Sequence, residues 1–215
     1  MAASEFRYCP QCATALELIT QTEDGGDKQR LRCPSCGFTH WNNPTPVLAA
    51  IVEVDGRILL ARNAAWSGRM FGLITGFMEA GESPEEGIRR EIAEETALDV
   101  TKLTLVGVHD FQRMNQVIVT YHALAHGDVQ LSPELVEYKL MEPAHIRCWR
   151  AGTGFALADW LRGQGLEPVF MEDVQRPADP SNKQLLGTSR YRVGAGRESA
   201  QSGRLSAGPV GLIQP

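Results

Sequence analysis

Alternating and continuous apolar runs mark the strands of this chain. Two runs, at 47–54 and 57–62, flank Asp55-Gly56, a dipeptide typical of tight hairpins. Residues rich in β-branched and apolar side chains recur further on and predict three more strand regions, at 103–109, 116–125 and 140–149. The pattern therefore predicts a sheet of several strands in the middle of the chain.

Helical spacing replaces this pattern in two segments. One begins after Ser83, a good N-cap, with Pro84 at the first helical position, and it buries a stripe of Ile88, Ile92 and Thr96. A second, amphipathic helix is predicted over about 154–162. Strands and helices mixed in this way predict an α/β sandwich in which the first helix packs on a mixed sheet.

Three carboxylates lie beside the buried stripe of the first helix. At about 100° per residue, Glu91, Glu94 and Glu95 fall within an arc of roughly 100°. A solvated helix face is the simpler interpretation, but like charges at this spacing repel and the stripe contains no Lys or Arg. Hard oxygen ligands of this kind suit Mg²⁺ or Mn²⁺. We also expect Gly87, one turn earlier, to give clearance for a ligand.

The segment 76–98, GFMEAGESPEEGIRREIAEETAL, resembles the Nudix box, Gly-x5-Glu-x7-Arg-Glu-U-x-Glu-Glu-x-Gly-U, in which U is a bulky apolar residue. Ala97 departs from the pattern where the family has Gly, so we expect the turn after the helix to bend differently. The resemblance implies a Nudix α/β/α sandwich and hydrolysis of a diphosphate bond by a metal-activated water. It implies metal binding by the Gly76 carbonyl and by Glu91, Glu94 and Glu95, with support from Arg90 and its ion-pair partner Glu82.

Two cysteine pairs precede this core. Cys9-Pro-Gln-Cys12 and Cys33-Pro-Ser-Cys36 have the spacing of a four-cysteine zinc site, and their alternative is a pair of disulfides. Because cysteine fills all four positions, no position is left for a water, and we expect the Zn²⁺ to be structural. The fifth cysteine, Cys148, is interpreted as a buried thiol.

A zinc ribbon before a Nudix box is similar to the NADH pyrophosphatases and to smaller zinc-ribbon Nudix hydrolases that act on FAD, ADP-ribose and similar dinucleotides. The loop 70–82 resembles the NADH pyrophosphatase version, but the Ser-Gln-Pro-Trp-Pro-Phe-Pro stretch of that family is replaced at 108–116. The smaller group is thus the closer fit. Two alternatives stay open: a non-catalytic nucleotide-sensing module whose ribbon contacts a partner, and an enzyme that removes nucleotide caps from RNA.

Further candidates come from the rest of the core. Glu137 resembles the downstream acidic residue that completes the metal site in related enzymes, with Glu134 as the alternative. Arg62 is a candidate for holding a phosphate. Aromatic residues that could stack on a base, or belong to the core, are Phe71, Phe77, Phe111 and Tyr121.

Composition sets the remaining expectations. The chain has 215 residues, 43% of them hydrophobic, and a formal net charge of -5, which argues against a general nucleic-acid binder. No apolar run is long enough to span a membrane, and we expect a cytoplasmic location. We predict three parts: a ribbon at 1–41, a Nudix domain at 42–170 and a disordered tail at 171–215. Related enzymes suggest that the ribbon could serve in homodimer contacts.

Overall fold

A computed structural model describes residues 6–66 and 68–171 of the chain. The described residues divide into two compact units, with the boundary between Thr45 and Pro46. The tail predicted at 171–215 lies outside the described residues, apart from Met171. Within the described part, no helix is long and apolar enough to cross a membrane.

The first unit is built around a small antiparallel sheet. Its strands are β1 (Glu17–Glu23), β2 (Gly26–Arg32) and β3 (Thr39–His40), in the order β1-β2-β3. The β1–β2 hairpin connects the two Cys-x-x-Cys segments, which form turns before β1 and between β2 and β3. The hairpin therefore returns the chain so that both cysteine pairs lie in one unit.

The second unit contains a six-stranded sheet with the order β7-β8-β4-β5-β9, and β6 also pairs with β4. Two helices and a short parallel pair, β10 and β11, complete it. The bounds of these elements are β4 Thr45–Val54, β5 Arg57–Asn63, β6 Ile74–Phe77, α1 Pro84–Thr96, β7 Asp99–Phe111, β8 Gln116–His126, β9 Leu135–Met141, β10 Arg147–Cys148, α2 Thr153–Gly163 and β11 Val169–Phe170.

The central strands are apolar on both faces because a helix covers each face. Successive residues of a strand point to opposite sides. On β4, Leu48, Ala50 and Val52 belong to the cluster that contains Ile88 and Ile92 of α1. The intervening Ile51 belongs to the other main cluster, together with Leu157, Ala158 and Leu161 of α2. This two-sided core confirms the expected α/β sandwich.

Helix α1 begins as the sequence predicts. Ser83 is the N-cap, its hydroxyl accepts a hydrogen bond from the Glu86 amide, and the Glu86 carboxylate accepts one in return from the Ser83 amide. At the other end, Ala97 adopts a left-handed conformation with φ 56°. Glycine favours this same conformation at the end of a helix, so the structure gives no reason to expect a turn that bends differently from the family pattern.

One strand prediction was wrong in its position. The strand expected over 140–149 instead runs from Leu135 to Met141, and a 3-10 turn at Pro143–His145 separates it from β10. Pro143 has no backbone N–H with which to continue a ladder. The missed first half of β9 contains Glu137 and Lys139, and such charges are common on a strand that ends a sheet.

Candidate active site and zinc centre

Helix α1 buries its carboxylates to different extents. Glu95 is only 8% exposed, Glu91 is half-buried and the Glu94 side chain is 59% exposed. The stripe of Ile88 and Ile92 is fully buried against the sheet, as predicted. Burial of the three side chains therefore increases from Glu94 through Glu91 to Glu95.

Two glycines make this packing possible. A Cβ atom on Gly76 would overlap the Glu91 carboxylate, so the carboxylate can take its present position only because this residue of β6 is glycine. A Cβ atom on Gly87 would lie 2.5 Å from both Glu82 Oε1 and Leu48 Cδ1. The prediction that Gly87 gives clearance for a ligand was wrong, because the space is needed by Glu82 and by the core.

Arg90 connects the carboxylates to the preceding loop. Its guanidinium donates two hydrogen bonds to Glu82, at 2.9 and 3.1 Å, and one to the Phe77 carbonyl at 3.3 Å. Its Nη1 also contacts Glu91 at 2.8 Å and Glu94 at 3.1 Å. The expected Arg90–Glu82 pair is thus present. The inference that no cation offsets the repulsion between the carboxylates was wrong. Arg90 precedes Glu91 by one residue and Glu94 by four, and it contacts both.

Glu95 has no such partner among the residues that the structure describes, and its environment disfavours negative charge. Burial raises the pKa of Glu95 to about 8, and the charges of Glu91, Glu134 and Glu94 act in the same direction. Burial also raises the pKa of Glu91, in spite of its contact with Arg90. By contrast, hydrogen bonds from Arg90 and from the Glu79 amide lower the pKa of Glu82. Without a cation the site therefore favours the protonated form of Glu95, whereas a bound cation would favour its carboxylate.

A β-bulge separates the two downstream acidic candidates. On β9, Leu140 packs with the α1 cluster and Met141 with the α2 cluster, so Glu137 shares the α2 side. Its carboxylate pairs with Arg62 at 3.3 Å, directly across from it on β5. The register then shifts between Arg62 and Asn63, and Glu134 is the residue whose charge acts on Glu95.

The candidate substrate contacts lie apart from the three carboxylates. Arg62 follows Ile58 and Leu60 of the α2 cluster at every second position, which places it on that side of the sheet. Phe71 packs against the same cluster, and Lys139 Nζ lies 4.0 Å from its ring centroid. Sequence reasoning missed Lys139, whose contact with Phe71 depends on the position of β9.

The other aromatic candidates are parts of the core. Phe77 packs against a small cluster that includes Val47 and Phe111. Phe111 and Tyr121 are 7% and 6% exposed, so the core interpretation describes both of them. Neither side chain offers a free face for stacking on a base.

The four ribbon cysteines converge on one point. Their Sγ atoms all lie within 4.8 Å of one another, and three of the pairs are separated by 3.4 to 3.6 Å. A tetrahedral Zn²⁺ with bonds of about 2.3 Å sets its sulfur atoms roughly 3.8 Å apart, so the cluster fits this ion. These separations are well beyond the ~2.0 Å of an S–S bond, so the four cysteines are not paired as disulfides. Cys148 is buried as predicted.

Comparison with known families assigns both parts of the chain. The model of the NUDIX domain matches residues 43–161, and the model described as Nudix N-terminal, a zinc ribbon, matches residues 7–42. The chain belongs to the Nudix family. A solved Nudix hydrolase from Nitrosomonas europaea is 26% identical with a TM-score of 0.62, and the match covers 77% of this chain and 97% of that one.

Curated relatives of this Nudix protein include NAD-capped RNA hydrolases called NudC. The one from Mycobacterium tuberculosis is 34% identical over 129 residues, which are 59% of this chain and 40% of that protein. The one from Pseudomonas aeruginosa is 28% identical over 121 residues, 56% of this chain and 41% of that protein. The matched segments span less than half the length of these relatives.

Proposed function

We propose that this Nudix protein is a Mg²⁺- or Mn²⁺-dependent pyrophosphohydrolase. With one water molecule it hydrolyses the diphosphate bridge of a nucleoside diphosphate derivative, such as FAD, ADP-ribose or NADH, to give two monophosphates. The observation that carries the proposal is the buried Glu95, whose pKa is about 8 beside Glu91, Glu94 and Glu134. A buried carboxyl group surrounded by like charges lowers the stability of the fold if its role is only structural. In a cation site the same group serves as a ligand.

The donor set fits a hard divalent cation. Carboxylate oxygens of Glu91, Glu94 and Glu95, with the Gly76 carbonyl, are ligands that Mg²⁺ and Mn²⁺ prefer. When bound, the ion would neutralise charge on the diphosphate and make a water more acidic. Arg90 and Glu82 position the helix face through their mutual hydrogen bonds and are not proposed as ligands.

We assign the completing acidic residue to Glu134 rather than Glu137. The charge of Glu134 acts on Glu95, whereas Glu137 is engaged by Arg62 on the other side of the sheet. Activity of Glu134→Gln and Glu137→Gln under saturating Mg²⁺ tests this choice. Glu134→Gln is expected to lose more turnover, and a larger loss in Glu137→Gln would restore the original candidate.

The part of the substrate beyond the diphosphate is proposed to contact Arg62 and Phe71. Arg62 supplies a guanidinium for phosphate, and Phe71 supplies a half-buried ring next to Lys139. The NudC relatives act on NAD-capped RNA, which favours a nicotinamide dinucleotide among the candidates. The region that replaces the NADH pyrophosphatase motif forms the end of β7 and the turn into β8, and we expect it to alter selectivity.

Product identification tests the proposal directly. The full chain is incubated with FAD, NADH and ADP-ribose in turn, with Mg²⁺ or Mn²⁺, and the products are identified by mass spectrometry. Two monophosphates from at least one substrate are expected, with Glu95→Gln as the inactive control. Binding of these dinucleotides without turnover by the metal-loaded protein would instead support the non-catalytic sensing module.

A further inference from the structure

The zinc-ribbon unit contains a shallow groove that the proposed hydrolysis does not use. It is formed by the consecutive residues 37–43, Gly-Phe-Thr-His-Trp-Asn-Asn, and encloses about 530 Å³. Its lining offers aromatic rings but no carboxylate. A groove of this composition can stack on a planar base.

Trp41 is the most accessible ring of the groove, and it is held in place. Its side chain is 50% exposed, and the Arg30 guanidinium lies 5.4 Å from its ring centroid. Glu23 fixes this guanidinium with hydrogen bonds of 2.8 and 2.9 Å, and this contact lowers the pKa of Glu23 to about 2. An immobilised, solvent-accessible indole loses little freedom when a base stacks on it.

A second guanidinium lies beside Gly37, one of the lining residues of the groove. Nη2 of Arg32 lies 3.8 Å from the position that a Cβ on Gly37 would occupy. Glu17 is its cross-strand neighbour, yet Arg32 forms no salt bridge with any residue that the structure describes. Arg30 is neutralised by Glu23, so Arg32 is the cation at this groove that remains available to an anionic ligand.

We infer that this groove binds a short stretch of single-stranded nucleic acid. One base stacks on Trp41, and a neighbouring phosphate contacts Arg32. Aromatic stacking combined with a nearby cation is the general chemistry of single-strand binding. The overall net charge of -5 opposes long-range attraction, but residues 37–43, which line the groove, include no carboxylate. The inference does not depend on the proposed hydrolysis.

Binding of a 5′-fluorescein-labelled octauridylate to the zinc-loaded full chain tests the inference, by fluorescence anisotropy without added Mg²⁺. Trp41→Ala is expected to weaken binding about tenfold, because stacking on one ring contributes about 1–3 kcal/mol. Arg32→Ala is expected to reduce the slope of log affinity against log salt by about 0.7, the value for one phosphate contact.

Matched controls on the same unit are Tyr8→Ala and Arg7→Ala, an exposed ring and a cation outside the groove lining. Both should bind like the unaltered chain, and every variant should retain one zinc. Equal affinity for Trp41→Ala and the unaltered chain would overturn the inference. Displacement of the oligonucleotide by a proline-rich peptide but not by unlabelled octauridylate would overturn it as well. A negative result in these tests would not count against the hydrolysis of free dinucleotides, because the proposed hydrolysis does not use this groove.

Discussion

The sulfur cluster of the ribbon and the carboxylate cluster of α1 are both candidate metal sites, but different interactions hold them. The four Sγ atoms converge within 4.8 Å through two local turns and one hairpin. The carboxylates of Glu91 and Glu94 lie against Arg90, and Glu95 is buried with like charges around it. The four sulfur atoms already have the spacing of a closed tetrahedral site, whereas Glu95 lies where its ionised form is unfavourable unless a cation binds beside it.

The largest expected effect is on turnover. Glu95→Gln replaces the most buried of the proposed metal ligands by a neutral amide of the same shape, so activity should fall by about two or more orders of magnitude with the fold retained. Steady-state hydrolysis of the best dinucleotide measures this loss. Glu85→Gln, at an exposed position in the first turn of the same helix, is the control and should stay within about twofold. Near-normal turnover of Glu95→Gln would remove the metal assignment.

The contrast also explains what could be predicted from sequence. The cysteine cluster depends on short-range spacing, and both turns and the returning hairpin follow from it. The capping box of α1 and the stripe of Ile88 and Ile92 are equally local. The environment of Glu95 is not local. It includes Glu134, whose position depends on a bulge between β5 and β9, and these strands are more than sixty residues apart in sequence. Gly87 was misinterpreted for the same reason, because Leu48 reaches it from β4.

The next effect is expected in the ribbon. Cys33→Ser removes a buried ligand from a site in which each sulfur is needed, so zinc content and the stability of this unit should both fall. Zinc stoichiometry and thermal unfolding measure the two losses. Cys148→Ala is the control, since this thiol is equally buried but belongs to the second unit, and it should keep its zinc. Full zinc occupancy in Cys33→Ser would contradict the four-sulfur site.

A steric change tests whether the carboxylates depend on their surroundings. Gly76→Ala would place a methyl group on the Glu91 carboxylate, so Glu91 must move and Arg90 must lose or rearrange a contact. We expect a loss of about 1–3 kcal/mol in the free energy of unfolding and a clear drop in turnover. Chemical denaturation and steady-state kinetics measure both. Gly163→Ala, where a Cβ meets nothing within 4 Å, is the control. Unchanged kinetics in Gly76→Ala would show that the position of Glu91 is not critical.

The raised pKa of Glu95 predicts how the stability of the protein without its catalytic cation depends on pH. The folded state holds this proton up to about pH 8, whereas an ordinary Glu releases it near 4.5. The free energy of unfolding should therefore fall as pH rises from about 4.5 to about 8, by an amount on the order of a few kcal/mol. Glu95→Gln should flatten the curve measured by urea denaturation. Parallel curves for the two proteins would contradict the raised pKa.

The smallest expected effect concerns the end of α1, where the chain departs from the family pattern. Ala97 occupies the left-handed region with φ 56°, which costs an Ala about 1–2 kcal/mol relative to Gly. Glycine also gains freedom in the unfolded chain, so Ala97→Gly should raise the free energy of unfolding by only about 0.5–1 kcal/mol. Ala93→Gly, at an exposed position inside the same helix, should lower it by about 1 kcal/mol. Urea denaturation of both variants measures the difference, and destabilisation by both would show that the turn at residue 97 is not strained.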